Sequence, residues 1–182
     1  MKRALFLDRD GILDELVYYP SHEEWEAPRR ADDVRMIEGI REPLQQLVDA
    51  GWLLFIVTNQ PNLAKGKATI EELAAVHERI VTSLGVPITK SYQCFHQASD
   101  HCICRKPSPF FLHEAARGFD VDLTRSWMVG DQDSDLLCGR NAGCKVALIE
   151  TRGSEHKRGK VLADLRVQNL AELVAVIASD ER

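Results

Sequence analysis

The chain has little that would send it to a membrane, along an export route or onto a nucleic acid. No apolar run approaches the roughly 18 residues a membrane helix needs. Asp8 and Asp10 interrupt the apolar stretch behind Lys2 and Arg3 before a signal h-region forms, so no secretory leader is expected. There is no basic excess. The net charge of -5 argues against a surface built for nucleic acid. Cysteine is scarce, five in 182 residues, too few for a disulfide scaffold at this length. Internal repeats, low-complexity runs and linkers are missing too, so residues 1–182 are expected to form one domain with a sizeable core. The composition, 45% hydrophobic and 28% charged, is that of an ordinary globular protein. A cytoplasmic monomer is the expectation, with neither a membrane nor a nucleic acid as partner.

The few cysteines are unevenly spread. Cys94, His96, Cys102 and Cys104 form C-x-H-x5-C-x-C, and Arg105-Lys106-Pro107 follows at once. Cysteines packed beside a histidine favour metal over disulfide. His101 competes with His96 for the nitrogen position, but Cys94-x-His96 mirrors Cys102-x-Cys104 and gives two pairs. Four protein donors fill a tetrahedral zinc site, so this Zn2+ is expected to be structural and to hold Lys106 in place. Cys138 and Cys144 read as small buried packing residues.

Apolar runs alternate with helical patterns, which predicts an α/β fold around a mainly parallel sheet. Strands are expected at 4–7, 52–57, 91–95, 127–129 and 145–149, and helices at 40–50, 69–84, 107–118, 133–142 and 169–178. Thr69 with Glu72 three residues on is a capping box. Residues 19–33 read as a long polar loop that covers the site, and residues 151–160 as a polar, mobile stretch. Asp8, Thr58, Lys106 and Asp131 each fall just past the end of a predicted strand or in the loop that follows it. In an open parallel sheet these ends share the edge where ligands bind.

Each of these positions suits phosphoryl transfer. Asp8-Arg9-Asp10-Gly11 puts two carboxylates at i and i+2, one able to attack phosphorus and one to protonate the leaving oxygen. Thr58 and the backbone amides after it can hold phosphate oxygens. Lys106 supplies fixed positive charge, and Arg105 can pair with a second phosphate. Gly130-Asp131-Gln132-Asp133-Ser134-Asp135 is rich in acids, and Asp131 with Asp8 can supply oxygen ligands to Mg2+. Taken singly, each segment is also an ordinary turn or a helix start with acids favoured by the dipole.

In this order the motifs resemble the haloacid dehalogenase superfamily of phosphatases, and the cysteine loop narrows the match to its histidinol-phosphatase and heptose-bisphosphate phosphatase branch. Asn59-Gln60-Pro61-Asn62-Leu63-Ala64-Lys65-Gly66-Lys67 is closer to the heptose members. The resemblance implies a Rossmann-like three-layer sandwich with no large cap, a small zinc-bound loop standing in as a partial lid. It implies Asp8 as nucleophile, Asp10 as acid and then base, and Thr58 and Lys106 as stabilisers of the phosphoryl group. It further implies Mg2+ on Asp8, the Asp10 carbonyl and Asp131. Arg105, Asn59, Gln60 and Gln132 would touch a small phosphorylated sugar. The implied reaction removes the 7-phosphate of D-glycero-D-manno-heptose 1,7-bisphosphate, a step toward lipopolysaccharide-core or S-layer precursors.

The chain departs from that pattern at Ile12, at Pro61-Asn62, in a lengthened 15–33 segment and in a shortened cysteine loop. Histidinol phosphate or another small sugar phosphate is the alternative substrate. A zinc-stabilised binding module without catalysis is the alternative of another class.

Overall fold

The computed structural model describes residues 1–179. In chain order the strands and α-helices are β1 (Ala4–Leu7), β2 (Val17–Tyr19), β3 (Glu24–Glu26), α1 (Arg41–Asp49), β4 (Leu53–Asn59), α2 (Ile70–Leu84), β5 (Lys90–Cys94), α3 (Phe110–Phe119), β6 (Trp127–Gly130), α4 (Asp133–Ala142), β7 (Lys145–Ile149), β8 (Leu165–Val167) and α5 (Leu170–Ser179). Six strands form one sheet in the order β5-β4-β1-β6-β7-β8, and every pairing in it is parallel. β2 and β3 make a separate antiparallel hairpin. Among the described residues no helix is long and apolar enough to cross a membrane.

Both faces of the sheet are covered, as a parallel sheet requires. β1 is buried along its whole length, and its side chains alternate between two cores. Leu5 and Leu7 join Leu54 and Ile56 of β4 beneath α1, α2 and α5. Ala4 and Phe6 join Phe55 and Val57 beneath α3 and α4. The result is the three-layer sandwich expected, with no large cap. Cys138 and Cys144 sit in the second core, where burial pushes both thiols up to about 12.

Local signals place the helices. Thr69 and Glu72 close the capping box of α2, and Gly85 ends that helix at φ +64°. Gly143 ends α4 at φ +86°. α3 starts at Phe110, later than the expected 107, because Lys106 is tied to Asn59 and the chain turns from Arg105 to Ser108 before the helix begins.

Three expectations change. Residues 19–33 are not a plain loop, since β2 and β3 pair there and Tyr18 meets Trp25 at 5.4 Å between ring centres. β8 was not foreseen; it has only three residues, too few for a periodicity to register. Residues 151–160, expected to be mobile, are tied down. The Thr151 hydroxyl donates to the Gly11 carbonyl at 2.7 Å, and Arg158 reaches the Thr151 carbonyl and the Ser154 hydroxyl at 2.7 Å each.

Candidate active site

β1, β4 and β6 are neighbours, so the residues that follow them meet at one edge. Asp8 and Asp10 leave β1, Thr58 and Asn59 end β4, and Asp131 follows β6. Of these, Asp8, Asp10 and Asn59 line a cavity of about 420 Å³, together with Lys106, Gln132 and Asp135, while Thr58 and Asp131 are buried and absent from its lining. The β2–β3 hairpin forms another wall through Glu24, Trp25 and Glu26.

Lys106 is the centre of charge. Its Nζ donates to Asp8 Oδ1 at 2.7 Å and to the Val57 carbonyl at 2.8 Å, and pairs with Asp135 Oδ1 at 2.8 Å. Burial works against its charged form, but Asp135 and Asp8 outweigh that and hold the ammonium above its usual range. Asp8 is pushed well above the usual carboxylate range by burial and by Asp135, Asp131 and Asp10, with Lys106 opposing.

Asp131 lies fully buried, with both carboxylate oxygens unpartnered. Burial, then the charge of Asp135, lifts it to about 7. The donor oxygens of Asp8, Asp131 and Asp135 lie within 4.8 Å of one another. With all three carboxylates ionised, the one Lys106 ammonium would leave a buried excess of two negative charges, and burial together with this excess is what raises Asp8 and Asp131. A hard divalent cation with oxygen ligands fits that excess and the two orphaned oxygens. The backbone accommodates the cluster: a Cβ on Gly11 would sit 2.8 Å from Asp131 Oδ2, and one on Gly130 would collide with Asp135.

Asp10 is fixed from three sides. Arg9, fully buried, donates to Asp10 Oδ1 from Nε at 3.1 Å and from Nη2 at 2.9 Å. Gln60 Nε2 donates to Oδ2 at 2.5 Å, and the Thr58 hydroxyl reaches the same oxygen at 3.3 Å. Gln60 is fully buried and absent from the cavity wall, and its backbone amide is committed to the Cys94 carbonyl at 2.6 Å. Its geometry is therefore that of a support for Asp10, unlike the sugar contact expected from the sequence. Asn59 does line the cavity, yet its amide is occupied by the backbone of Lys106. Gln132 and Arg105 both line the cavity.

The cysteine loop adjoins this edge. Sγ atoms of Cys94, Cys102 and Cys104 lie 3.3 to 3.6 Å apart, and His96 Nδ1 is 3.6 Å from Cys94 Sγ and 3.5 Å from Cys104 Sγ. With zinc–sulfur bonds near 2.3 Å and zinc–nitrogen near 2.0 Å, the edges of a tetrahedron come to roughly 3.5 to 3.8 Å. The four donors therefore fit Zn2+. His96, and not His101, stands in this group.

Three participants escaped the sequence reading. Arg9, between two acids, was assigned no role. Asp135 looked like a helix-dipole acid, although its i+3 relation to Gln132 was a signal of a capping role. The segment after β7 carried no motif at all.

The HAD-hydrolase-like family model matches residues 103–173. The chain is 34% identical, over 187 aligned residues, to the D-glycero-beta-D-manno-heptose-1,7-bisphosphate 7-phosphatase of Haemophilus ducreyi, covering 97% of this chain and 98% of that protein. The protein of the same name from Helicobacter pylori strain J99 is also 34% identical, over 82% of this chain and 84% of its own length. Among solved structures, D,D-heptose 1,7-bisphosphate phosphatase from B. bronchiseptica, complexed with magnesium and phosphate, matches with a TM-score of 0.83 at 26% identity, over 98% of this chain and 99% of that one. Identity at this level along nearly the whole length, on a sheet of the same build, makes the chain a member of the haloacid dehalogenase-like phosphatases, phosphoric monoester hydrolases of the heptose-bisphosphate 7-phosphatase type.

Proposed function

We propose that the protein hydrolyses the 7-phosphate of D-glycero-D-manno-heptose 1,7-bisphosphate through an aspartyl-phosphate on Asp8. The observation that carries this reading is the Asp8 carboxylate itself. It faces the cavity, held by Lys106 at 2.7 Å, with Asp10 on the same wall and the orphaned Asp131 behind. The names of the relatives favour this substrate over histidinol phosphate.

In the first step an Asp8 oxygen bonds to phosphorus, the bond from phosphorus to the sugar oxygen breaks, and protonated Asp10 gives its proton to that oxygen. In the second, water attacks phosphorus, Asp10 takes the proton back, and the bond to Asp8 breaks to release inorganic phosphate. Lys106 balances charge on the phosphoryl oxygens, and Thr58 with Gln60 and Arg9 keeps Asp10 in place. Asp8, Asp131 and the Asp10 carbonyl would hold Mg2+, which supplies charge neutralisation at the phosphoryl group when bound. The cysteine loop would hold a structural Zn2+ that fixes the approach to Lys106. A monomer in the cytoplasm is part of this reading, and the five cysteines without a disulfide agree with a reducing compartment.

Steady-state kinetics with Mg2+ on the heptose bisphosphate against a panel of phosphomonoesters tests the substrate. No preference for the bisphosphate would sink it. Trapping of phosphate on the Asp8 peptide tests the chemistry, and undiminished turnover in Asp8→Asn would remove Asp8 as nucleophile.

A further inference from the structure

The same cavity also carries positive charge. Its lining includes Lys65, Arg105 and Lys157, with His156. Lys65 and Lys157 meet no carboxylate among the described residues. Arg105 gives Nη1 to the His96 carbonyl at 3.0 Å and has no acidic partner either. Both acids of the hairpin that line the cavity face Lys67: Glu26 is engaged by Lys67 and Arg29, and Glu24 lies 3.8 Å from Lys67. Cations that line a cavity without a partner have a use for an anion.

Lys157 comes from the segment between β7 and β8, and that segment is built onto the catalytic turns. Thr151 donates to the Gly11 carbonyl at 2.7 Å, and the Ser154 hydroxyl, fully buried, lies 3.4 Å from the Asp131 carbonyl. On its other side it grips the hairpin. A Cβ on Gly153 would collide with the Trp25 ring, and Arg152 lies over the same ring at 5.0 Å. The Lys157 amide closes the turn onto the Ser154 carbonyl at 2.8 Å. The position of Lys157 is thus set by both aspartate turns and by the hairpin wall.

We propose that Lys157, with its chain neighbour His156 and with Lys65 of the same cavity lining, forms a specificity-determining subsite for the second, non-reacting phosphate of the substrate. The inference rests on the bisphosphate reading above and deepens it. An ammonium is a point charge that suits phosphate without fixing its orientation, which leaves orientation to the reacting end.

The test compares Lys157→Ala and Lys157→Arg with the wild type on the heptose bisphosphate and on the corresponding 7-monophosphate. The ratio of kcat/KM for the two substrates should fall about tenfold or more in Lys157→Ala, mainly through KM, as expected for one charge-assisted contact. Lys157→Arg should recover most of the ratio, and a loss that it does not recover would count against recognition by charge. A wild-type preference for the bisphosphate that survives both Lys157→Ala and the double change with Lys65→Ala overturns the subsite and leaves the substrate reading standing. A wild type that treats the two substrates alike overturns the substrate reading, and the subsite falls with it. Thermal melts of each variant separate these outcomes from misfolding.

Discussion

Asn59 and Lys106 are bound to each other reciprocally: the Lys106 amide donates to Asn59 Oδ1 at 3.1 Å, and Asn59 Nδ2 donates to the Lys106 carbonyl at 3.2 Å. The end of β4 thereby holds the backbone of the lysine whose side chain reaches Asp8. Asn59→Ala removes both bonds and lets Lys106 drift. A displacement on the order of 1 Å costs about 10²-fold in rate, so kcat should fall by about that much while the melting temperature drops only modestly. An unchanged kcat would mean that the cysteine loop alone positions Lys106.

The buried excess of negative charge around Asp131 makes a prediction about stability. A cation that binds only the folded state stabilises it by about 2.7 kcal/mol at a hundred times its Kd. Mg2+ should therefore raise the melting temperature of the wild type measurably. Asp131→Asn removes one of the three charges and should shrink that increment. A melt insensitive to Mg2+ in the wild type would argue against metal at these acids.

Gln60 supports Asp10 from beneath the cavity. Gln60→Leu keeps the approximate volume and deletes the donor, so kcat should fall with KM for the substrate little changed. The opposite split, a raised KM at constant kcat, would return Gln60 to the role of a sugar contact. In parallel, Asp10→Asn should slow substrates with poor leaving groups more than those with good ones, since only the former need the proton.

The cysteine loop ends two residues before Lys106, and the Gln60 amide hangs on the Cys94 carbonyl. Loss of Zn2+ should therefore act on catalysis indirectly. Purified protein is expected to carry zinc by elemental analysis, and Cys94→Ser to lose it together with activity. Full activity in zinc-free protein would separate the loop from the site.

His77 of α2 is held near 4 by burial and by Arg9, with Asp10 opposing, and its Nδ1 has no partner. Its folded value lies below its ordinary 6.5, so the unfolded chain binds more protons between these limits. The stability associated with neutral His77 is full above about pH 6.5 and is lost as pH falls toward about 4. Urea unfolding across this window should show a decline that flattens in His77→Gln. A decline of the same slope in the variant would assign it to other groups.

Much of the site could be read in the chain because its signals are local. A hydrophobic run followed by Asp8-Arg9-Asp10-Gly11, the Thr69 box and the paired spacing of Cys94, His96, Cys102 and Cys104 all act within a few residues. Strand ends could also be ranked as candidates, because a parallel sheet gathers them at one edge. What side chains do after they are gathered depends on strand order. Lys106 meets Asp8 across 98 positions, and Thr151 meets Gly11 across 140. No periodicity encodes such a distance. The same holds for Gln60, turned beneath Asp10 and not toward a substrate, for Arg9, buried as its partner, and for Asp135, placed on Lys106 by the first turn of α4. The sequence by itself determined which residue types stand at which strand ends, and so the class of chemistry. Only the tertiary structure decided which of them face the cavity, which lie beneath it, and that the unmarked segment after β7 contributes to its lining, because burial and pairing of charge are properties of neighbours in space.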